Sequence, residues 1–558
     1  MMTENMMAKV EKKLKENLKT ALDKAVQEKG LELKEYPEIE VEIPREKEHG
    51  DYATNLAMVL ASTFKTSPRE VADILVDNFS SDLVEDIEIA GPGFINFTLD
   101  NSWLYDTVHK IIEDGENYGE TDFGQGEKVQ IEFVSVNPTG PLHVGHSRGA
   151  VVGDVLSRIL KTTGFEVDKE YYINDAGNQM DVLGKSTLVR YKQVLGQDVE
   201  MPEEAYVGDY ITDIAEEIKE EKGDEILDLP EDEQLVFCRE FAYDRCLETI
   251  KKDLEEFEID FDVWFSERYL HEENKIDEAI EKLEEKGYIY RENEAVWFKA
   301  SEFGDDKDRV VVKSDGNKTY LAADIAYHLN KLERGYDKLI NIWGADHHGY
   351  ISRVKASIQA FGYPKDTLEV IVVQMVTLLR DGETVPMSKR AGNFVTMREV
   401  MEEVGKDAAR YFYVMRSTDS HFDFDLELAK KENTDNPVYY IQYAHARIQS
   451  IMENLDEDID FDSEVDLSNL NHEAEMELMK MMAHYPEMLK LSAERKEAHH
   501  VANYAYDLAN AFHVFYNKCR VITDDKELTK ARVYLVKAAR QVLRNVLNVL
   551  GISAPDQM

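Results

Sequence analysis

The chain has 558 residues, 43% of them hydrophobic and 10% aromatic. That composition excludes wholesale disorder, and at roughly 100–200 residues per domain the length has room for several buried cores. It carries 112 Asp and Glu against 65 Lys and Arg, a formal charge of −47, which taken alone argues against RNA as a partner, because non-specific phosphate binding needs a basic face.

Three cysteines, Cys238, Cys246 and Cys519, form no CxxC pair, so neither a disulfide framework nor a structural zinc site is expected. The opening MMTENMMAKVEKKLKENLKT reads as an amphipathic helix, not a signal peptide. No apolar run approaches the ~18 residues of a membrane span. The expectation is a soluble cytoplasmic protein with no membrane contact. An acid-rich surface also suggests a salty or alkaline habitat, where charge keeps protein dispersed despite screening.

Residues 1–115 alternate helix and strand signals and read as an α+β domain. Leu14 to Ala25 is helical, Ile39 to Ile43 alternates like a strand, and Asn55 to Phe64 returns to helical spacing. Ile87 to Leu99 gives two short strands around a Gly-Pro-Gly turn, and the polar stretch Glu113 to Lys128, with four glycines, reads as a linker. Residues 116–410 read as a multidomain protein's α/β core with a Rossmann-type parallel sheet. Val129 to Val136 is an apolar strand, Asn137 to Gly140 a turn, and a helix follows from about His146 to Thr163 with the stripe Val151, Val152, Val155, Leu156 and Ile159. Lys338 to Trp343, Glu369 to Leu379 and the helix between them supply a second strand–helix–strand half. Between the halves, at about 190–300, lies an acidic helical insertion; its Gly196 to Leu235 stretch holds 16 acids against Lys219 and Lys222, a net of −14, and reads as a solvated surface. From about Asp407 the chain is almost all helical, giving an all-α domain at 411–558. It is interrupted by an acidic loop, Asp456 to Asp466, and its last part reverses sign: Ala511 to Leu547 carries eight bases and three acids.

Chemistry concentrates first in Pro138 to His146, PTGPLHVGH, which follows a strand and opens a helix, the place where backbone N–H groups and the helix dipole receive phosphate. His143 and His146 are one turn apart, Gly145 between them leaves room for a nucleotide, and the two rings can stabilise charge on a transferring nucleotide. The bland readings are a pair of helix-capping histidines or part of a metal site, the latter lacking a nearby third ligand. The second concentration is PMSKRAGN, Pro386 to Asn393, after the hairpin signal Arg380-Asp381-Gly382-Glu383. Ser388, Lys389 and Arg390, with Gly392 nearby, could close over phosphates, the two cations meeting transition-state charge, although a lysine–arginine pair on a loop is more often simply solvated.

Together the two motifs resemble the HxGH and MSK signature of class I aminoacyl-tRNA synthetases, and nearly the whole chain is similar to the arginyl-tRNA synthetases. The stretches that carry the likeness are EFVSVNPTGPLHVGHSRGAVVGD from Glu132, YLAADIAYHLNK from Tyr320, GADHHGYISRVKA from Gly344, MSKRAGNFVT from Met387, NPVYYIQYAHARI from Asn436 and the terminal LGISAPDQM. The resemblance implies a class I Rossmann-type catalytic domain, an N-terminal domain that meets the tRNA D-loop and a C-terminal anticodon-binding bundle. It implies ligation of L-arginine to tRNA(Arg) by way of arginyl-adenylate, with ATP as substrate, Mg2+ carried with ATP, tRNA bound before activation, no editing domain and a monomeric enzyme.

Roles follow from the same likeness. His143, His146, Lys389 and Arg390 are the catalytic set, and Pro138, Gly140, Gly145, Gly344, Asp346, Met387 and Ser388 join them around ATP. Glu132, Ser135, Asn137, Tyr320, Asp324 and His347 hold arginine, with His347 on the floor. Phe94, Asn96, Tyr440, Tyr443, Arg447 and Arg540 meet tRNA. Some of this agrees with elementary chemistry: a guanidinium is a planar fork of donors that needs carboxylates such as Glu132 and Asp324. Ser135 and Asn137 are two apart and share a strand face, whereas Glu132 has the opposite parity and joins them only if the strand bends or bulges. Lys537, Arg540 and Arg544 at i, i+3 and i+7 give a cationic helix face for phosphate. One departure stands out: the class loop normally begins with lysine, and Pro386 occupies that place. A nucleotidyltransferase using the same HxGH site is the alternative, opposed by the long helical C-terminus. A non-catalytic paralogue would be expected to lose His143, His146 or Lys389, and all three are present. RNA is then expected along local basic tracks, with the acidic surface facing solvent.

Overall fold

The computed structural model describes residues 5–33, 35–44, 46–385, 395–455 and 465–558. Helix α1 (Met6–Lys29) starts where the Asn5 side chain accepts from the Met7 amide and ends at left-handed Gly30. Its stripe Val10, Leu14, Leu18 and Leu22 is buried. Strand β1 (Tyr52–Thr54), helices α2 (Leu56–Phe64) and α3 (Pro68–Asn78) and strands β2 (Val84–Ala90) and β3 (Phe94–Leu99) complete an α+β unit. Its antiparallel sheet has the order β1-β3-β2. The expected strand at Ile39 to Ile43 is reduced to an isolated bridge between Glu42 and Ala53.

Helix α4 (Ser102–Asp114) leads into the stretch expected to be a linker. That stretch is a packed joint. Tyr118 is buried and its hydroxyl donates to the Met482 carbonyl at 3.1 Å, while Asn545 Nδ2 donates to the carbonyls of Gly115 and Tyr118, both at 3.0 Å.

The chain continues through β4 (Lys128–Glu132), α5 (Val144–Thr162), β5 (Glu166–Ile173), α6 (Asn178–Val194), α7 (Asp209–Lys222), α8 (Glu231–Glu256), β6 (Val263–Ser266), α9 (Glu267–Glu272) and α10 (Lys275–Glu285). Strands β7 (Ile289–Glu292), β8 (Ala295–Phe298) and β9 (Arg309–Val312) form a small antiparallel sheet. Then come α11 (Tyr320–Glu333), β10 (Lys338–Gly344), α12 (Ile351–Ala360) and β11 (Leu368–Val373). Five strands make one parallel sheet in the order β6-β5-β4-β10-β11. The chain reverses its winding between β4 and β10. In sheets of this kind ligands bind beyond the carboxyl ends of the strands at that switch point, so Glu132 and Gly344, the last residues of β4 and β10, locate the site.

Two expectations change here. The span 190–300, read as a helical insertion, contains β6, which is the edge strand of the central sheet, and also β7 and β8. Periodicity was blind to β6 because a four-residue edge strand is too short to register. And Gly196 to Leu235 is not surface alone. All 16 of its acids are exposed, yet its apolar residues join α6 and α8 around a separate core that includes Leu183, Tyr191, Ile211, Ile218 and Cys238.

Beyond the central sheet lie β12 (Val376–Arg380), β13 (Glu383–Thr384), α13 (Met397–Val404), α14 (Lys406–Val414), β14 (Phe422–Asp425) and α15 (Leu426–Ala429). The run Glu369 to Leu379 is thus split at Gln374 and Met375, with β12 leaving the main sheet to pair with β13 and β14. The C-terminal bundle comprises α16 (Pro437–Glu453), α17 (Glu473–Ala483), α18 (Tyr485–Arg495), α19 (His499–Lys518) and α20 (Lys526–Leu550). Most of the acidic loop Asp456 to Asp466 lies outside the described residues. Among the described residues no helix is long and apolar enough to cross a membrane.

A buried ion cluster ties the bundle to the sheet. Asp154 of α5, fully buried, meets Arg410 of α14 at 2.5 Å, Arg158 at 2.9 Å and Lys169 at 3.4 Å. Arg410 also donates to the carbonyls of Phe257 (2.8 Å) and Leu550 (3.0 Å), the latter the last residue of α20. The next residue, Gly551, is left-handed, and a Cβ there would stand 2.2 Å from the Arg410 guanidinium, so glycine is required both by φ and by space. Removing one member of a buried pair leaves an uncompensated charge. Arg410→Ala is expected to cost about 3–5 kcal/mol, measured as a lowered midpoint of urea unfolding.

Candidate functional site

Strand β4 ends at Glu132, four residues before the apolar run does, because Val134 (φ 69°) and Ser135 (φ 44°) adopt left-handed backbone. Two such residues in succession, one of them β-branched, are costly and need outside support. It comes from β5: the Ser135 hydroxyl oxygen accepts from the Tyr172 amide at 3.1 Å, and the Tyr171 hydroxyl donates to the Val136 carbonyl at 3.1 Å. The bend cancels the strand alternation. Glu132, Ser135 and Asn137 all line one cleft of about 1080 Å³ at the switch point.

His143, Gly145 and His146 line the same cleft. The histidines form a capping box. His143 Nδ1 accepts from the Gly145 amide at 3.1 Å and His146 Nδ1 accepts from the His143 amide at 3.4 Å, with the rings stacked 3.6 Å apart. An imidazole that accepts at Nδ1 carries its neutral-form proton on Nε2, so the capping bonds set both rings as Nε2–H donors. The glycine between them also makes room for the histidine: a Cβ on Gly145 would lie 2.9 Å from the His143 ring. The open glycine is Gly149, one turn on, which lines the cleft with nothing within 4 Å of a Cβ position. Its i+4 spacing from Gly145 was the available sequence signal. Pro138 is buried behind the turn and does not line the cleft, whereas Gly140 does.

Opposite the histidines the cleft is anionic. Glu132, Glu267 and Asp324 all line it. Glu132 Oε2 is already held by buried Lys331 at 2.6 Å, and Lys331 also donates to Asn341 at 3.0 Å. Burial pushes the Glu267 carboxyl up, opposed by hydrogen bonding to Tyr172 and His271. Burial pushes the Asp324 carboxyl up to about 7; the Glu132 and Glu267 charges add to the rise, and the Tyr350 hydroxyl opposes it. Among the described residues Lys331 thus answers Glu132 and only His271, 3.4 Å away, answers Glu267, and buried charge of one sign is costly until a cation joins it. Glu267, the first residue of α9, was missed in the sequence because nothing local distinguishes it from the many acids around it.

Other predicted residues sit at the rim. Tyr320, the first residue of α11, is 68% exposed but lines the cleft. Gly344 and Asp346 line it too. His347, expected on the floor, lines the cleft from its exposed rim, on the 3-10 turn after β10 and 3.5 Å from the Asp346 carboxylate. Met387, Ser388, Lys389 and Arg390, with Pro386, lie outside the described residues. The chain that follows them is anchored at the histidines: the Val144 amide donates to the Val395 carbonyl at 3.0 Å and the Met397 amide to the Leu142 carbonyl at 2.8 Å.

The residues expected to meet RNA lie elsewhere. On β3, Phe94 is half-buried and Asn96 is 5% exposed. In the bundle, Arg447 lies over the rings of Tyr443 (4.4 Å) and Tyr516 (4.8 Å), and the Tyr440 ring is 5.3 Å from that of Tyr506. Arg540 is only partly available as a phosphate contact, because Asp556 of the terminal tail pairs with it and stands 3.8 Å from Arg544.

Three family models tile the chain. The arginyl tRNA synthetase N terminal domain matches residues 12–99, the class I (R) tRNA synthetase catalytic domain 107–432 and the DALR anticodon binding domain 441–558. The chain belongs to the arginyl-tRNA synthetase family. It is 52% identical over 551 residues to the arginine–tRNA ligase of Geobacillus thermodenitrificans, covering 98% of this chain and 99% of that protein. It is 51% identical to that of Geobacillus kaustophilus, covering 99% and 100%. The arginyl-tRNA synthetase structure from Thermus thermophilus shares the fold, with a TM-score of 0.74 at 22% identity over 98% of this chain and all of that one. This synthetase accordingly has a class I parallel-sheet catalytic domain, an N-terminal domain and a helical anticodon-binding domain.

The raised Asp324 carboxyl has a measurable consequence in the ligand-free enzyme. Its folded value, about 7, lies above the ordinary 3.8, so the folded state binds the proton more tightly and loses stability as pH rises from about 4 to about 7. Asp324→Asn is expected to melt above wild type by a margin that widens over pH 5.5 to 7 and is constant from 7.5 to 8.5, read by thermal unfolding without substrates.

Proposed function

We propose that this synthetase ligates L-arginine to tRNA(Arg) in two steps, and that the cleft at the end of β4 is where both occur. The observation that carries the reading is the meeting, in one cleft, of a histidine-capped helix N-terminus with three carboxylates, of which Lys331 holds one, Glu132. In the first step an arginine carboxylate oxygen attacks the α-phosphorus of ATP, forming arginyl-adenylate and expelling pyrophosphate. In the second a terminal ribose hydroxyl of tRNA attacks the arginyl carbonyl, and AMP leaves. ATP enters as substrate with its Mg2+.

Roles follow from position. Asp324 and Glu267 take the guanidinium, with Tyr320 closing over it from the rim; Glu132, held by Lys331, supports that wall. Ser135 and Asn137, beyond the bend, are placed for the α-amino and carboxylate groups. The Nε2–H groups of His143 and His146 donate to phosphate oxygens as negative charge builds, and the N-terminus of α5 adds its dipole. Gly149 lets the nucleotide approach the helix backbone, and Gly344 and Asp346 face the ribose and adenine. Lys389, with Arg390, Met387 and Ser388, meets the pyrophosphate end; the anchoring of residues 395–397 beside His143 supports that assignment. Phe94, Asn96, Tyr440, Tyr443, Arg447 and Arg540 serve tRNA; the need for charged tRNA in translation supports a cytoplasmic enzyme, and the family likeness supports a monomer.

Pyrophosphate exchange in the presence of tRNA tests the reading. Exchange is expected with arginine and not with lysine, because a site built for a guanidinium leaves carboxylates unpaired around an ammonium. His146→Ala should lower the exchange rate roughly 10²–10³-fold. Exchange with lysine alone, or none with any amino acid, overturns the reading.

The arginine subsite has its own signature. Below pH 7 arginine must displace the Asp324 proton, so its affinity is expected to be roughly tenfold weaker at pH 6 than at pH 8. Asp324→Asn should bind weakly with a flat profile, as titration calorimetry at both pH values would record.

A further inference from the structure

The turn Asn137-Pro138-Thr139-Gly140-Pro141 cannot hold itself. Its two prolines have no N–H, its glycine is unrestrained, and its one internal backbone bond runs from the Thr139 amide to the Asn137 carbonyl at 2.8 Å. Two further restraints reach it from α6 and α7. The Tyr210 hydroxyl donates to the Thr139 carbonyl at 2.7 Å, and the Gln179 side-chain carbonyl accepts from Asn137 Nδ2. The Tyr210 ring lies flat against the turn: a Cβ on Gly140 would stand 3.0 Å from its Cζ. The ring reaches that position because Gly208, two residues earlier, has no side chain; a Cβ there would be 2.6 Å from Tyr210 Cε1. Tyr206 and Tyr210 also line the cleft.

Both contacts issue from a rigid base. Gln179 opens α6 and Tyr210 opens α7, and the two helices share the insertion's own core with α8. The Tyr206 amide donates to the Ser186 hydroxyl at 2.9 Å, which fixes the connection between them.

We propose that Tyr210 and Gln179 are positioning residues, through which the unit formed by α6, α7 and α8 holds the nucleotide turn and Asn137 in register with the histidines. The inference rests on the assignment of this cleft to arginine activation. The two contacts act on different substrates. Tyr210 fixes the Thr139–Gly140 backbone against which ATP binds, whereas Gln179 orients Asn137 at the arginine end.

Steady-state pyrophosphate exchange on the full chain with tRNA tests it, with melting temperature as a control. Tyr210→Phe keeps the ring and removes one hydrogen bond, so KM for ATP should rise about 3–10-fold with KM for arginine and melting temperature little changed. Gln179→Ala should show the converse, a rise in KM for arginine. Gly140→Ala keeps the hydroxyl but displaces the ring, and should reproduce the ATP effect if the contact matters and not the residue alone. Wild-type kinetics in Tyr210→Phe and Gly140→Ala overturn the inference while leaving arginine activation intact. So does an equal loss for both substrates that tracks a lowered melting temperature, since that marks packing. A wild-type enzyme without arginine-dependent exchange overturns the assignment of the cleft, and the inference with it.

Discussion

The site depends on a place where a β-strand stops being one. Val129 to Val136 has the composition to run on as a strand, and had it done so, Glu132 would point away from Ser135 and Asn137. Instead β4 gives way at Phe133, and Val134 and Ser135 turn left-handed. Strain of this kind, of order 1–3 kcal/mol per residue, persists only where the surroundings over-determine it. Here Tyr171 and Tyr172 hold the bend from the neighbouring strand, and the Phe133 ring fills the space left by Gly153 of α5, where a Cβ would sit 2.3 Å from the ring. The bend and the histidine helix are therefore packed as one object. Moving either would move the carboxylates relative to the Nε2–H donors.

Electrostatics explains why so acidic a chain can keep a charged pocket. The 16 acids of Gly196 to Leu235 are all exposed, where solvent and salt screen them. The buried acids are treated differently. Asp154 is met by Arg410, Arg158 and Lys169, and Glu170 by Arg334 at 2.7 Å. Against that pattern of generous pairing, the cleft is the exception: Asp324 and Glu267 are held with their charges disfavoured. Among the described residues the cleft thus holds more buried carboxylates than cations, which supports its proposed use for a cationic substrate. The net charge of −47 was thus a poor guide to partners, because what decides binding is which carboxylates lack a counterion and where.

What was legible in the sequence was what local spacing controls. The strand, turn and helix around PTGPLHVGH and the hairpin at Asp381-Gly382 follow from periodicity and turn chemistry, and Asp324 falls one turn after Tyr320 as the helix requires. Parity, by contrast, correctly reported a conflict at Glu132 and could not resolve it, because a left-handed valine is imposed by Tyr171 and Tyr172, 37 or more residues away. The two glycines of the histidine motif show the same limit. Spacing marks Gly145 as room for a nucleotide and the family likeness puts Gly140 beside ATP, but neither shows that Gly145 also makes room for the His143 ring and Gly140 for Tyr210. Tyr210 itself was illegible, since the Thr139 carbonyl it meets lies 71 residues earlier. The joint at Tyr118 failed for a different reason: glycine-rich polar sequence signals a turn but not whether the turn is covered, and here α18 and α20 cover it.

Helix α5 connects these scales. Its N-terminus carries the histidines; two residues past His146, buried Arg148 donates to the carbonyls of Tyr413, Gln374, Ser420, Arg416 and Ser417. Asp154 lies about 9 Å further along at 1.5 Å per residue, bound to Arg410 and through it to the carbonyl end of α20. A guanidinium surrounded by carbonyls is satisfied only while all of them keep their places, since each buried donor left unpaired is costly. The helix is consequently fixed at both ends of the span by groups that cannot be traded for water. The basic helix α20, with Lys537, Arg540 and Arg544, ends on that same anchor. The helix bearing the basic face and the helix bearing the histidines are thus joined through one buried arginine, so a displacement of α20 at Leu550 has no low-cost way to leave α5 unmoved.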